Sequence, residues 1–117
     1  MTSGLGEGDI KKYFEAWSVG DVDKIMAYFG DEIVYEDIPT SKLSTGQIEA
    51  RAFIQKFLND TPGLKMIPNN IMILNNKAAI EWTMSGGSGD EAWDVRGATV
   101  MEHENGEINR VTDYWNE

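Results

Sequence analysis

The apolar positions of the first third repeat with helical spacing. Ile10, Tyr13, Phe14 and Trp17 fall at i, i+3, i+4 and i+7, one face of a helix. Asp9 is placed to cap its start and Gly20 to end it in a left-handed turn. Val22, Ile25, Met26 and Phe29 form a second stripe between Asp21, a cap, and Gly30, a stop. Ile33–Asp37 reads as a short strand and 38–46, with Pro39, as a loop. Ala50, Phe53, Ile54, Phe57 and Leu58 mark a third helix, stopped at Pro62-Gly63. The second half is strand-like. Leu64–Leu74 is interrupted near Pro68-Asn69-Asn70, and Ala78–Ser85 follows a turn at Asn75-Asn76. Trp93–Glu104 and Glu107–Trp115 flank Asn105-Gly106, a strong two-residue hairpin signal. The predicted order is α-α-β-α-β-β-β-β, an α+β fold with helices packed on a curved, mostly antiparallel sheet.

A chain of 117 residues is one domain's worth. Residues 1–8 lack the basic and apolar regions of a signal peptide and read as a flexible tail, with one domain over 9–117. The net charge of −10 argues against nucleic acid and anionic membrane as partners. No stretch has the apolar length of a membrane helix. The absence of cysteine excludes disulfides, thiol catalysis and thiolate metal sites, and fits a cytoplasmic protein. A single histidine, His103, excludes multi-histidine zinc centres, and no metal or cofactor is expected. His103, beside the Asn105-Gly106 turn, reads as a solvated residue at the sheet rim.

Two stretches, Tyr13–Asp37 (YFEAWSVGDVDKIMAYFGDEIVYED) and Val95–Tyr114 (VRGATVMEHENGEINRVTDY), together with the element order, resemble the nuclear-transport-factor-2-like superfamily. Val19-Gly20-Asp21 and Asp113-Tyr114-Trp115 carry the likeness. Its enzyme branches include SnoaL-like polyketide cyclases, ketosteroid isomerases and limonene-epoxide hydrolases. The resemblance implies a cone-shaped α+β barrel around one apolar pocket, and a homodimer through the sheet. Ala98, Val100, Thr112 and Tyr114 form an outer strand face suited to that interface.

Strand alternation sorts the inner faces. Ile33, Tyr35 and Asp37 share one. Ile80, Trp82 and Met84 share another, as do Val95, Gly97, Thr99 and Met101, and then Asn109, Val111, Asp113 and Trp115. The predicted pocket is apolar and aromatic, shaped by Trp17, Phe57, Trp82, Met84, Gly97, Thr99 and Met101, and suits a small hydrophobic molecule bearing oxygen. By resemblance, Asp37 stands where the isomerases place their general base, and Tyr13 where they place an enolate-binding tyrosine. Tyr35 and Asp113 match a water-holding tyrosine and a catalytic aspartate of the epoxide hydrolases. The chain departs from both patterns. Gly97, Ala98 and Thr99 stand where the isomerases carry a protonated aspartic acid, and Ile80, Trp82 and Met84 replace the hydrolases' arginine–aspartate pair. A hydrolase is therefore disfavoured. The expected function is cofactor-free acid–base chemistry of isomerase or cyclase type, with Asp37 as base, Tyr13 and Tyr35 as donors and Asp113 as second acid. The alternative is a non-catalytic binding or dimerisation domain of the same fold. Two carboxyls in one cavity would titrate as a coupled pair.

Overall fold

The computed structural model describes residues 5–116. Helices α1 (Glu7–Val19), α2 (Val22–Met26) and α3 (Gly46–Asp60) pack against a curved, open six-stranded sheet. Its strands are β1 (Phe29–Asp37), β2 (Lys42–Thr45), β3 (Lys65–Leu74), β4 (Lys77–Gly86), β5 (Trp93–Glu104) and β6 (Glu107–Trp115), in the order β2-β1-β6-β5-β4-β3. Every pairing is antiparallel except β1 with β6. The fold is the expected α+β cone, and none of the described helices is long and apolar enough to cross a membrane.

The start of the chain differs from expectation. Residues 1–4 of the expected tail lie outside the described residues, while Leu5 is buried and α1 begins at Glu7. Asp9 sits inside the first turn and accepts the Gly6 N–H at 3.0 Å. Gly20 ends α1 with φ +73°, and Asp21 caps α2 through the Lys24 N–H. The second helix is shorter than its stripe suggested, because Phe29 and Gly30 belong to β1. A Cβ on Gly30 would stand 2.7 Å from Oδ1 of the exposed Asn109 side chain on β6, which is free to turn away. The expected loop over 38–46 contains β2, a four-residue strand pairing Val34–Asp37 with Lys42–Thr45.

The hairpins of the second half follow the sequence signals. Asn105 and Gly106 both adopt positive φ, 54° and 80°, the twist a two-residue turn requires. The β3–β4 register slips between Pro68 and Asn70, since proline has no N–H for the ladder. Another slip, between Glu102 and His103, breaks the alternation on β6, so Asn109 is exposed instead of sharing the inner face with Val111. His103 is not solvated. It follows Met101 on the inner face, is 1% exposed, and its Nδ1 accepts the Leu5 N–H at 3.1 Å. Burial lowers its pKa.

The registers line residues up across the sheet. One inner row runs Ile71, Ile80, Thr99, Asp113, Asp37. The next runs Pro68, Trp82, Gly97, Trp115. On the outer face Met72, Ala79, Val100 and Thr112 align, and Met72, Val100 and the neighbouring Tyr114 are exposed. Gly97 permits its row. A Cβ there would lie 2.5 Å from Trp82, 2.6 Å from the Tyr114 carbonyl oxygen and 2.8 Å from the Trp115 Cβ. Because one of these neighbours is backbone, Gly97→Ala is expected to destabilise the fold by about 1–3 kcal/mol, measured by urea unfolding.

Candidate active site

The inner rows and the helices enclose one cavity, lined by Tyr13, Phe14, Trp17, Tyr35, Asp37, Phe53, Phe57, Met66, Trp82, Met84, Thr99, Asp113 and Trp115. No Lys, Arg or His is among these residues. The space open to the centre of a water molecule is about 20 Å³, room for about one water. A larger guest must displace side chains, and Phe53, Phe57 and Trp115 are the half-buried aromatic ones. Phe53 stacks on Phe57, and Phe57 meets Trp17 and Trp115 edge-on.

Asp37 and Asp113 face each other in the β1–β6 register and both line the cavity. Their donors differ. Asp113 accepts the Thr99 hydroxyl on Oδ1 at 2.6 Å and the Tyr35 hydroxyl on Oδ2. Thr99 in turn accepts the Trp82 indole N–H at 2.8 Å. Asp37, 3% exposed, accepts the Trp115 indole N–H on Oδ1 at 2.9 Å and the Thr40 hydroxyl on Oδ2 at 2.8 Å. Neither aspartate is paired with an arginine. Arg110 reaches Glu36 instead, at 3.5 Å.

Burial lifts the Asp113 carboxyl from 3.8 to about 6; the charge of Asp37 adds to the rise, and the Thr99 and Tyr35 hydroxyls oppose it. Tyr35 is held well above the usual phenol range by burial and by the nearby Asp113 charge. The same two causes raise Tyr13, with the neighbouring Trp17 and Tyr35 side chains opposing.

Of the residues expected here, Tyr13, Trp17, Tyr35, Asp37, Phe57, Trp82, Met84, Thr99 and Asp113 line the cavity. Gly97 and Met101 do not. Gly97 lies between Trp82 and Trp115, and Met101 is fully buried between Ala78 and Val111 in the sheet. Phe14, Phe53 and Met66 line the cavity beyond the residues expected there, as does Trp115, expected only on the inner face, and Thr40 is the loop partner that Asp37 was in position to hold. Phe53 shares the α3 face with Phe57, and Trp115 the β6 face with Asp113, so periodicity carried a signal for both. Thr40, three residues after Asp37, is within local hydrogen-bond reach of it, whereas Met66 has no such signal.

The raised carboxyl makes stability depend on pH. Between about pH 4 and 6 the native state holds a proton at Asp113 that the unfolded chain has released, so this group's contribution falls as pH rises through that window and its cost is complete above about 6. Relative to Asp113→Asn, the wild type is expected to lose at most about 3 kcal/mol between pH 4 and 7, read from urea unfolding of both proteins at each pH.

Residues 10–111 match the SnoaL-like domain family. No curated protein matches the chain. A Catenulispora acidiphila protein of ketosteroid isomerase-like fold, solved in complex with trimethylamine, superposes with a TM-score of 0.86 at 15% identity, over 96% of this chain and 88% of that one. A proposed ketosteroid isomerase from Kribbella flavida gives 0.74 at 25% identity, over 92% and 75%. A proposed SnoaL-like polyketide cyclase from Shewanella putrefaciens gives 0.77 at 10%, over 89% and 75%. With a match spanning most of its length and its cone fold in common with these structures, the chain belongs to the SnoaL-like domain family.

Proposed function

We propose that the protein is a cofactor-independent acid–base enzyme of isomerase or cyclase type, acting on a small hydrophobic molecule that carries a carbonyl. The observation that carries this reading is the facing pair Asp37 and Asp113 in an aromatic cavity, with Asp113 titrating near 6. A carboxyl with that proton affinity exchanges protons near neutral pH. In the proposed step Asp37 takes a proton from the carbon beside the carbonyl. The C–H electron pair becomes a carbon–carbon double bond, and the carbonyl π pair moves onto oxygen. Tyr13, buried and too weak an acid to ionise, donates a hydrogen bond to that oxygen. Asp113 in its protonated form supplies the second acid, and returning the proton at another carbon completes an isomerisation.

A second reading is a non-catalytic pocket for a small organic amine. Eight aromatic side chains around two carboxyls also suit an alkylammonium cation, and the Catenulispora protein holds trimethylamine.

Solvent-deuterium exchange into a panel of small cyclic ketones, followed by proton NMR, separates the two. The enzyme reading expects exchange that slows as pH rises above about 6, where Asp113 loses its proton. Asp37→Asn should cut the rate by at least about 100-fold. Asp113→Asn should lower it and flatten the pH limb. Absence of exchange in the wild type, with calorimetric binding of trimethylammonium, would favour the amine pocket.

We also propose that the exposed outer face around Met72, Val100 and Tyr114 pairs with a second copy. Sedimentation at micromolar concentration is expected to give twice the chain mass, and a monomer would overturn this.

A further inference from the structure

His103, the chain's only histidine, has no part in the proposed chemistry and does not line the cavity. It faces inward on β5 beyond Met101, 1% exposed, opposite the fully buried Ile108 of β6. Its backbone N–H donates to the Asn76 carbonyl in the β3–β4 turn at 2.9 Å, and its Nδ1 accepts the Leu5 N–H at 3.1 Å. That second bond settles the form of the imidazole. A backbone N–H can only donate, so Nδ1 carries no proton and the neutral ring keeps its hydrogen on Nε2. Among the described residues the buried Nε2 has no partner. An imidazolium in this place would set an N–H at Nδ1 against the Leu5 N–H and bury two ring donors without acceptors, which is costly. A docked Leu5 and a charged His103 therefore exclude each other.

We propose that the His103–Leu5 contact is an acid-sensitive latch: neutral His103 holds the segment before α1 on the sheet, and protonation of Nδ1 releases it. The proposal is independent of the acid–base reading. Leu5 is 7% exposed, and Gly6 after it opens α1, its carbonyl accepting the Ile10 N–H at 3.1 Å and its own N–H going to Asp9. The same helix carries Tyr13, Phe14 and Trp17 to the cavity, so the latch ties the start of one cavity wall to the sheet. The charged residues on the surrounding elements are Glu102 and Glu104 on β5, Glu107 on β6, Lys77 on β4, and Glu7 and Asp9 at the start of α1. Lys77 pairs with Glu102 at 3.5 Å, Glu7 pairs with Lys11 at 3.1 Å, and Glu104 and Glu107 are exposed. Burial alone lowers the proton affinity of the imidazole, and no neighbouring charge offsets it. The sign follows: docking keeps its full strength above the ordinary histidine value of 6.5 and weakens as pH falls below it.

The test is amide hydrogen exchange of the whole protein between about pH 5.5 and 7.5, read at Leu5 by NMR and corrected for the intrinsic pH dependence of exchange. If the released His103 has ordinary proton affinity, Leu5 protection should fall about tenfold from the top of that range to the bottom. Asp113 titrates in the same window, so the response must survive Asp113→Asn. His103→Asn keeps an acceptor in place of Nδ1 and has no proton to gain, so its Leu5 protection should stay flat. Should that variant fail to fold, the wild type decides alone. Nitrogen shifts of its single imidazole should show the neutral ring protonated at Nε2 and titrating below 6.5. Leu5 protection independent of pH in the wild type, a response that vanishes in Asp113→Asn or persists in His103→Asn, or a neutral ring protonated at Nδ1 would overturn the latch.

Discussion

The site depends on one register, the parallel pairing that sets Asp37 of β1 opposite Asp113 of β6. Their strands are far apart in sequence, and the sheet order inserts β6 between β1 and β5. The same row then brings Thr99 to the other side of Asp113. Two carboxyls share this apolar cavity, and burial raises the proton affinity of Asp113. The donors divide them. Asp37 receives an indole and a threonine hydroxyl, while Asp113 receives two hydroxyls and has its carboxyl raised to about 6 by burial. A one-residue slip of β6 would turn Asp113 to the outer face and empty the site.

The neighbouring row secures this arrangement. Trp82 and Trp115 flank Gly97, and each sends its indole N–H into the carboxyl row, Trp82 to Thr99 and Trp115 to Asp37. They approach that closely only because the residue between them has no side chain. Gly97 thus matters to the site although it does not line the cavity: the packing of two large rings and the orientation of two hydrogen bonds rest on one missing Cβ.

Local signals made much of this legible in the sequence. Asn105-Gly106 marks the turn type and the pairing of β5 and β6 next to it, but Thr99 stands opposite Asp113 only through the slip between Glu102 and His103, which no turn signal carries. Asp37 followed from the Ile33–Tyr35 alternation. Tertiary contacts decided the places where local pattern failed. Phe29 fits a helical stripe as well as a strand, and its pairing with Ile108 of β6 assigns it to β1. A four-residue edge strand such as β2 has too short a period to read. His103 looked exposed because a turn follows it, yet it shares the Met101 face and Leu5 covers it. Which aromatics reach the cavity depends on how α3 lies against β1, and no spacing within α3 encodes that angle.

The departure from the epoxide-hydrolase pattern explains why Asp113 titrates where it does. An arginine on the inner face of β4 would stabilise the ionised carboxyl and pull its proton affinity back down. This chain has Ile80, Trp82 and Met84 there, all buried. They supply low polarity and one indole N–H, and that N–H acts on Asp113 only through Thr99. With no cation lining the cavity, the opposing hydroxyl donors reduce the effect of burial without cancelling it, and the carboxyl settles near 6. The apolar strand therefore leaves Asp113 with a raised proton affinity, next to a second carboxyl held by donors of its own.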